Sequence, residues 1–276
     1  MVSRSGAEAV KPLDTLDLAT LRDVRGLLAD IDDTITSDGK LTAAAYGALE
    51  RMHASGLVVV PITGRPAGWC DHIARMWPVS GVVGENGALW MRYDTASRRL
   101  EKRFVASEAE RVANRARLAT IGPKILAAIP GTALASDQLY READLAIDFC
   151  EDVTPLPRES VDGIVSMMHA EGMTAKVSSI HVNGWFGSYD KLGMTRLFLR
   201  DAFGIDLDAE KSRFVFVGDS PNDAPMFGFF PLSVGVANVR HFADRIATLP
   251  TYVTDGESGA GFVETAERLL AARRLR

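Results

Sequence analysis

The chain has 276 residues, of which 47% are hydrophobic and 24% are charged. This composition is ordinary for a globular protein and excludes intrinsic disorder as its main state. The 31 basic and 36 acidic residues give a net charge of -5. This balance argues against nucleic acid as a partner, because proteins that bind duplexes usually carry a basic surplus. No apolar run approaches the roughly 20 residues of a membrane span, so we expect no membrane partner.

Cysteine usage indicates a reducing compartment. The two cysteines, Cys70 and Cys150, do not form a CxxC pair, which disfavours both a disulfide framework and a thiolate metal site. The first residues include acidic side chains and no apolar segment of the secretory type. We therefore expect a cytoplasmic protein in which residues 1–20 form a loose tail or a short helix.

Short apolar runs alternate with helical patterns over much of the chain. The runs are continuous and rich in β-branched residues, as in strands buried on both faces. They lie at 27–29, 57–62, 81–83, 214–217 and 232–236. Helices are predicted at 42–55, 190–203 and 262–275, the first capped by Thr42 and stopped by Gly56. The alternation predicts an α/β fold with a doubly wound, Rossmann-like parallel sheet.

The alternation is interrupted between about residues 89 and 188. Two strands around a turn are predicted first, followed by a long helix broken at Gly122 and Pro123. A strand at 145–149, a helix at 158–170 and one or two strands within 174–186 follow. This pattern indicates an α+β unit inserted into the first domain. Residues 21–88 and 188–276 would then form the core, and 89–187 the insert.

Acidic side chains follow the first predicted strand directly. Asp30 and Asp32 are two residues apart, and side chains at that spacing point the same way from an extended backbone. Their like charges need a cation, a shared proton or a loop that separates them. A hard cation such as Mg²⁺ meets this need, since it binds through one or two carboxylates plus phosphate oxygens of a substrate.

The second predicted strand end carries Thr63, Gly64 and Arg65. A hydroxyl and a following glycine N–H can together grip an oxyanion. The ordinary alternative for Thr63 is a helix N-cap, and for Arg65 an internal salt bridge. Open α/β sheets bind ligands at the carboxyl ends of their strands, so we retain all three as candidate site residues.

Two more carboxylates and a lysine complete the candidate set. Asp219 and Asp223 lie four residues apart in the segment GDSPND, where turn chemistry is the ordinary alternative. Lys191 stands at the start of a predicted helix that returns to the core. On its own it would be read as a solvent-exposed lysine.

These motifs, in this order, resemble the four motifs of the haloacid dehalogenase superfamily. They are DxDxT at 30–34, TGR at 63–65, Lys191 and GDxxND at 218–223. The segment GENGA at 84–88 resembles the GxNGA of the class II, subtype B branch, which includes Cof-like, sucrose-phosphatase-like and mannosyl-3-phosphoglycerate-phosphatase-like proteins. The insert resembles the α/β cap of that branch. The resemblance covers about residues 24–275, with Asp33 standing where the branch usually has glycine.

The resemblance implies a Mg²⁺-dependent phosphatase acting on a small phosphorylated metabolite, above all a sugar phosphate. Asp30 would attack phosphorus to form an aspartyl phosphate, and Asp32 would act as general acid and then general base. Asp30, the backbone carbonyl of Asp32 and Asp219 would hold Mg²⁺, with Asp223 supporting them directly or through water.

The remaining motif residues would bind the substrate. Thr63, the N–H of Gly64 and Lys191 would stabilise the phosphoryl oxygens. Arg65 and, in the insert, Asn183 would contact the substrate. Trp185 could stack on a sugar, although core packing is the ordinary role of a single tryptophan.

Two other functions remain open. A sugar phosphotransferase of the phosphomannomutase type shares the branch and the aspartyl phosphate. A non-catalytic phosphoacceptor regulator is the other alternative, because receiver domains also carry acidic residues at the strand ends of a doubly wound fold. Neither the substrate nor the oligomeric state follows from these motifs.

Overall fold

The structure is a computed structural model that describes residues 10–275. The strands are β1 (Lys11–Pro12), β2 (Gly26–Ala29), β3 (Val58–Pro61), β4 (Val82–Gly84), β5 (Leu89–Asp94), β6 (Arg99–Phe104), β7 (Ala133–Leu134), β8 (Asp144–Asp148), β9 (Thr174–Val177), β10 (His181–Trp185), β11 (Phe214–Gly218), β12 (Leu232–Gly235) and β13 (Tyr252–Val253). The α-helices are α1 (Leu18–Leu21), α2 (Ala43–Ala54), α3 (Ala67–Met76), α4 (Glu108–Ala128), α5 (Arg158–Ala170), α6 (Lys191–Phe203), α7 (Leu207–Glu210), α8 (Ala224–Phe229) and α9 (Ser258–Arg273).

The main sheet has six parallel strands in the order β1-β13-β12-β11-β2-β3. Every residue of β2, β11 and β12 is buried, as expected where helices cover both faces. Residues 1–9 of the predicted N-terminal segment lie outside the described residues. Within its remainder, β1 extends the edge of the sheet and α1 packs against α9.

Two apolar clusters fill the space between sheet and helices. Leu27 belongs to the cluster that includes residues of α2, α3 and α9, whereas its neighbour Leu28 belongs to the cluster that includes residues of α6 and α8. Adjacent residues of a strand point to opposite faces, so helices cover both sides of the sheet. The predicted doubly wound α/β fold is confirmed.

A three-stranded antiparallel sheet, β4-β5-β6, continues from the edge of the main sheet. A parallel bridge between Ile62 and Val83 joins the two sheets. Leu89 and Met91 of β5 belong to the same apolar cluster as Leu27, so the hairpin that we assigned to the insert packs on the core. The boundary between core and insert remains a prediction.

The insert has a sheet and an apolar cluster of its own. Its four antiparallel strands run in the order β7-β8-β10-β9, and α4 and α5 supply the residues that pack on them. The predicted break at Gly122 and Pro123 is wrong, because α4 continues through both residues. Leu118, Ile121 and Ile125 are buried around this point, and their packing offsets the roughly 3 kcal/mol cost of an internal proline.

The predicted helix ends are close to those observed. Thr42 accepts a hydrogen bond from the N–H of Ala45 at 3.2 Å, and Gly56 adopts a φ of +82° just beyond α2. Helix α9 begins at Ser258, four residues before its predicted start. Within residues 10–275, no helix combines the length and apolarity needed to cross a membrane.

Candidate active site

Three neighbouring strands end at the same edge of the main sheet and bring the predicted site together. Asp30 follows β2, Thr63 follows β3 and Asp219 follows β11, and these strands are adjacent in the sheet. The N–H of Asp30 donates to the carbonyl of Val217 at 3.0 Å. The parallel ladder therefore fixes where each candidate side chain leaves the sheet.

Asp30, Asp219 and Asp223 form a buried carboxylate cluster. Their side chains offer oxygens that all lie within 4.8 Å of one another. Burial, and then repulsion by neighbouring aspartates, raises the pKa of Asp30 to about 8, although Lys191 opposes the shift. Burial and the charges of Asp30 and Asp223 raise the pKa of Asp219 well above its usual value. Three acceptor-only groups that repel one another fit a hard divalent cation.

Lys191 lies against this cluster. Its Nζ donates to Asp30 Oδ1 at 2.5 Å and to Asp223 Oδ1 at 2.8 Å. Burial would lower the pKa of Lys191, but Asp223 and Asp30 outweigh burial and raise it, so the ammonium stays charged. Asp190 caps α6 by accepting from the N–H of Gly193 at 2.7 Å, which fixes the helix end that carries Lys191.

The GENGA segment packs directly on the start of α6. Gly87 has a φ of +105°, and a Cβ placed on it would lie 2.0 Å from the carbonyl oxygen of Asp190. Only glycine combines this backbone conformation with so close an approach. The segment thereby holds the end of α6, and with it Lys191, against the sheet edge.

Backbone and side-chain hydrogen bonds orient Asp219 and Asp223. Asp223 Oδ2 accepts from the N–H of Asp219 at 3.1 Å. Thr34 Oγ1 donates to Asp219 Oδ1 at 3.3 Å. Asn238 Nδ2 donates to the carbonyl of Asp33 at 3.0 Å and lies 3.4 Å from Asp219 Oδ2. The loops after β2, β11 and β12 are thus tied to one another.

Asp33 departs from the glycine usual in the branch, and its backbone explains why the position favours glycine. Its φ is +56°, in the left-handed region that aspartate tolerates better than most residues do. The substitution therefore preserves the sharp turn after Asp32.

Asp32 is not part of the carboxylate cluster and pairs with Arg65. Arg65 Nε donates to Asp32 Oδ1 at 2.9 Å, and Arg65 also forms ion pairs with Glu151 at 2.6 Å and Asp137 at 3.4 Å. Burial would lower the pKa of Arg65, but Asp32 and Glu151 outweigh it and raise it. The guanidinium thus forms internal salt bridges, which the sequence analysis gave as the alternative to substrate binding. Its contact with substrate stays a prediction.

The turn at 63–65, whose oxyanion role stays a prediction, lies next to Asn86, which we did not predict as a site residue. Thr63 is fully buried, and its Oγ1 accepts from the N–H of Arg65 at 2.9 Å. A Cβ on Gly64 would lie 3.1 Å from Asn86 Nδ2. This Nδ2 is buried, with no hydrogen-bond partner among residues 10–275. A buried donor without a partner is available to a ligand oxygen.

The insert covers the site with its β9–β10 loop. Residues 178–181 and Asn183 line a narrow cleft together with Asp30, Asp32 and Arg65, and the cleft has a volume of about 10 Å³. Asn183 is buried and its Nδ2 donates to Asp144 Oδ2 at 3.0 Å. The structure therefore brings Asn183 to the cleft. Trp185 is buried and stacks on Tyr189. It therefore packs in the protein interior, as a single tryptophan ordinarily does, and does not offer a face for a sugar.

Glu85 joins core and insert, a role that our sequence reasoning missed. Its carboxylate accepts from the N–H groups of Ala67 at 2.8 Å, Glu142 at 2.8 Å and Ala143 at 2.6 Å. Burial and the charge of Asp144 raise its pKa to about 7, against the effect of these hydrogen bonds. The one sequence feature that could have pointed to Glu85 was its position in the GENGA segment.

Arg141 makes a second link between core and insert that was missed. Its Nη1 donates to the carbonyl of Gly64 at 2.9 Å, and its guanidinium pairs with Asp137 and Asp144. No motif in the sequence pointed to this arginine.

Replacing Glu85 with glutamine should loosen the insert. An amide group would face backbone N–H donors, so at least one buried hydrogen bond would be lost, at a cost of about 1–3 kcal/mol. We expect a lower midpoint in urea and faster hydrogen exchange over residues 137–145. Glu142→Gln is the matched control, because Glu142 pairs with Arg115 at the surface and such pairs contribute little. Equal exchange in the two variants would contradict the assigned role of Glu85.

Without a divalent cation, stability should fall as pH rises from about 4 to about 8. The pKa of Asp30 is about 8 in the folded chain and about 3.9 in an unfolded one. Between these values the folded state binds more protons, so the free energy of unfolding decreases with pH, by an amount on the order of a few kcal/mol. Urea denaturation in EDTA at pH 5, 6, 7 and 8 measures this slope.

Mg²⁺ should flatten that pH dependence, because a bound cation favours the deprotonated carboxylates. Asp30→Asn should also reduce the slope in EDTA, because it removes one of the titrating groups. A slope in EDTA that is equal in wild type and Asp30→Asn would show that Asp30 does not titrate as described.

Comparisons with known proteins relate the chain to phosphatases. A phosphoglycolate phosphatase of Methanosarcina mazei is 26% identical over 258 residues, which are 89% of this chain and 96% of that protein. A haloacid dehalogenase-like hydrolase from Bacteroides thetaiotaomicron matches with a TM-score of 0.62 and 14% identity, over 89% of this chain and 99% of that one. The fold is that of the haloacid dehalogenase-like hydrolases.

A sugar phosphatase has the same haloacid dehalogenase-like fold. The sucrose-phosphatase of Synechocystis sp. PCC6803, solved with sucrose and phosphate, matches with a TM-score of 0.58 and 17% identity, over 89% of this chain and 98% of that one. No protein-family model matches the chain. The predicted resemblance to haloacid dehalogenase-like proteins is confirmed at the level of the fold, and a protein named as a phosphatase is similar in sequence over most of the chain.

Proposed function

We propose that the protein is a Mg²⁺-dependent phosphomonoesterase that hydrolyses a small phosphorylated metabolite, with a sugar phosphate as the favoured class. One observation carries the proposal: Lys191 binds both Asp30 and Asp223 at the edge where three parallel strands end. This arrangement pairs a nucleophile-type carboxylate with a fixed cation, as phosphoryl transfer needs.

In the proposed reaction, Asp30 attacks the phosphorus of the substrate. A bond forms between its carboxylate oxygen and phosphorus while the bond from phosphorus to the leaving oxygen breaks. Asp32 gives its proton to that leaving oxygen. It then takes a proton from the water that attacks the aspartyl phosphate, which releases inorganic phosphate and restores both aspartates.

The remaining polar groups would bind the phosphoryl oxygens and the cation. Asp30, Asp219, Asp223 and the carbonyl of Asp32 would hold Mg²⁺, which when bound neutralises the carboxylates and charge on the phosphoryl group. Thr63, the N–H of Gly64 and Lys191 would donate to the phosphoryl oxygens. Asn86 Nδ2, buried without a partner in the described chain, would add a donor there.

The insert would act as a cap that selects small substrates. Its loop at 178–181 covers a cleft of about 10 Å³, about the space of one water molecule, so this loop must shift to admit a phosphate. Arg65 and Asn183 both line that cleft and would contact the substrate once the loop moves. Two similar proteins, named as phosphoglycolate phosphatase and sucrose-phosphatase, support a small substrate. The free thiols of Cys70 and Cys150 accord with a cytoplasmic location.

Phosphate release from a panel of sugar phosphates and phosphorylated carboxylic acids tests the proposal. We expect release with Mg²⁺ and little in EDTA. Isomerised sugar phosphate from a hexose 1-phosphate, without phosphate release, would favour the phosphotransferase instead. A stable aspartyl phosphate without turnover would favour the regulator.

A further inference from the structure

An aromatic groove lies next to the catalytic cleft, on the other side of the Asp32–Arg65 ion pair. Its volume is about 500 Å³. Its walls come from the loop after β2, from Arg65 in the loop after β3, from α3 and Trp77 just beyond it, and from one residue of the insert. The side chains important here are Asp32, Arg65, Trp69, His72, Trp77 and Tyr140.

The groove has the properties of a binding site for a small organic group. Pockets that hold such groups have volumes of roughly 300–1,000 Å³ and combine aromatic walls with a few polar groups. Trp69 is 42% exposed and Tyr140 is 60% exposed, so flat apolar faces remain open to a ligand. The Arg65 guanidinium stacks on Trp69 at 4.5 Å, which holds the indole in place.

The groove adjoins the cleft, because Asp32 and Arg65 line both. With the loop at 178–181 in its observed position, the cleft, at about 10 Å³, has no room for the organic part of a substrate. Asp32 would protonate the leaving oxygen in the proposed reaction, so that oxygen must lie beside Asp32. The organic group attached to it then has space on the groove side of the ion pair.

We infer that this groove is the subsite for the leaving group and that it takes a ring with a flat apolar face. The inference rests on the proposed function, since it assigns a place to the alcohol released there. A pyranose ring and an aryl ring share this chemistry, as each can stack on Trp69. Open-chain leaving groups would gain little from the groove.

Four substrates and three variants test the inference. The ring substrates are glucose 6-phosphate and phenyl phosphate, and the open-chain ones are glycerol 1-phosphate and phosphoglycolate. We expect Trp69→Ala to lower the ratio of ring to open-chain kcat/KM roughly three- to tenfold, as loss of one ring contact predicts. His72→Trp, which fills the groove and leaves Trp69 in place, should lower the same ratio through KM.

Met76→Trp is the matched control, because Met76 lies on the same helix, is 64% exposed and does not line the groove. This variant should keep the wild-type ratio. A ratio that stays at the wild-type value in both Trp69→Ala and His72→Trp would overturn the inference. A larger effect on glucose 6-phosphate than on phenyl phosphate would identify the sugar ring as the occupant, and the reverse would identify the aryl ring.

A binding measurement separates this inference from the proposed function. Calorimetry with benzylphosphonate and methylphosphonate, which are not hydrolysed, needs no turnover. Tighter binding of benzylphosphonate that is lost in Trp69→Ala would support the groove even if no phosphomonoester were hydrolysed. Equal binding of the two phosphonates in wild type would overturn the assignment of the groove as a subsite, even if hydrolysis were observed.

Discussion

Replacing Asp30 with asparagine should lower the rate of phosphate release by at least about a thousandfold, because loss of a covalent nucleophile has effects of this size or larger. Asparagine keeps the shape of the side chain but has no carboxylate to attack phosphorus. The rate is measured as phosphate release under saturating Mg²⁺ with the best substrate of the panel.

The same variant should remain folded. Asp30 is buried beside two other carboxylates and has a pKa of about 8, so asparagine replaces a group that is largely uncharged at neutral pH, while Lys191 keeps Asp223 as a partner. We expect a melting temperature in EDTA equal to or above that of wild type. Asp38→Asn, at an exposed position of the loop after β2 with a φ of +48°, is the matched control and should retain full activity. Activity near the wild-type rate in Asp30→Asn would show that Asp30 is not the nucleophile.

Replacing Lys191 with methionine should affect both stability and activity. Asp30 and Asp223 would lose their buried ammonium partner, and breaking such a buried pair costs about 3–5 kcal/mol. Loss of a fixed charge at the phosphoryl oxygens should also lower kcat by about a hundred- to a thousandfold. Urea denaturation and phosphate release measure the two effects.

Mg²⁺ should distinguish the two roles of Lys191. Added cation should restore much of the stability of Lys191→Met, because it supplies a positive charge to the carboxylate cluster, but it should not restore kcat. Lys124→Met is the control, since Lys124 pairs with Glu171 at the surface, and such pairs contribute about 0–1 kcal/mol. A Lys191→Met protein as stable as Lys124→Met in EDTA would contradict the buried ion pairs described here.

The strand ends of the site could be predicted because their signals are local. Apolar runs followed by Asp30, Thr63 and Asp219 place those residues at strand termini, and parallel pairing brings strand termini to one edge. The prediction did not need the order of the strands. Lys191 followed from its position at the start of a helix and from its place among the other motifs.

The contacts between core and insert could not be predicted, because they join residues far apart in the chain. Arg65 pairs with Glu151 and Asp137, and these partners depend on how the insert sits against the sheet edge. The unbroken helix α4 is a similar case, since packing of its buried residues overrides the local preference of Pro123. Local propensity therefore predicted the elements well and their mutual contacts poorly.

Glu85 reaches the insert through main-chain N–H groups, at Glu142 and Ala143, and this has a consequence for how the protein can evolve. Every amino acid except proline supplies such a donor. This part of the docking thus depends on one glutamate side chain in the core, while the partner positions are free to accept many side chains. Drift at 142 and 143 would leave the docking intact, and only a proline at either position would abolish a hydrogen bond there.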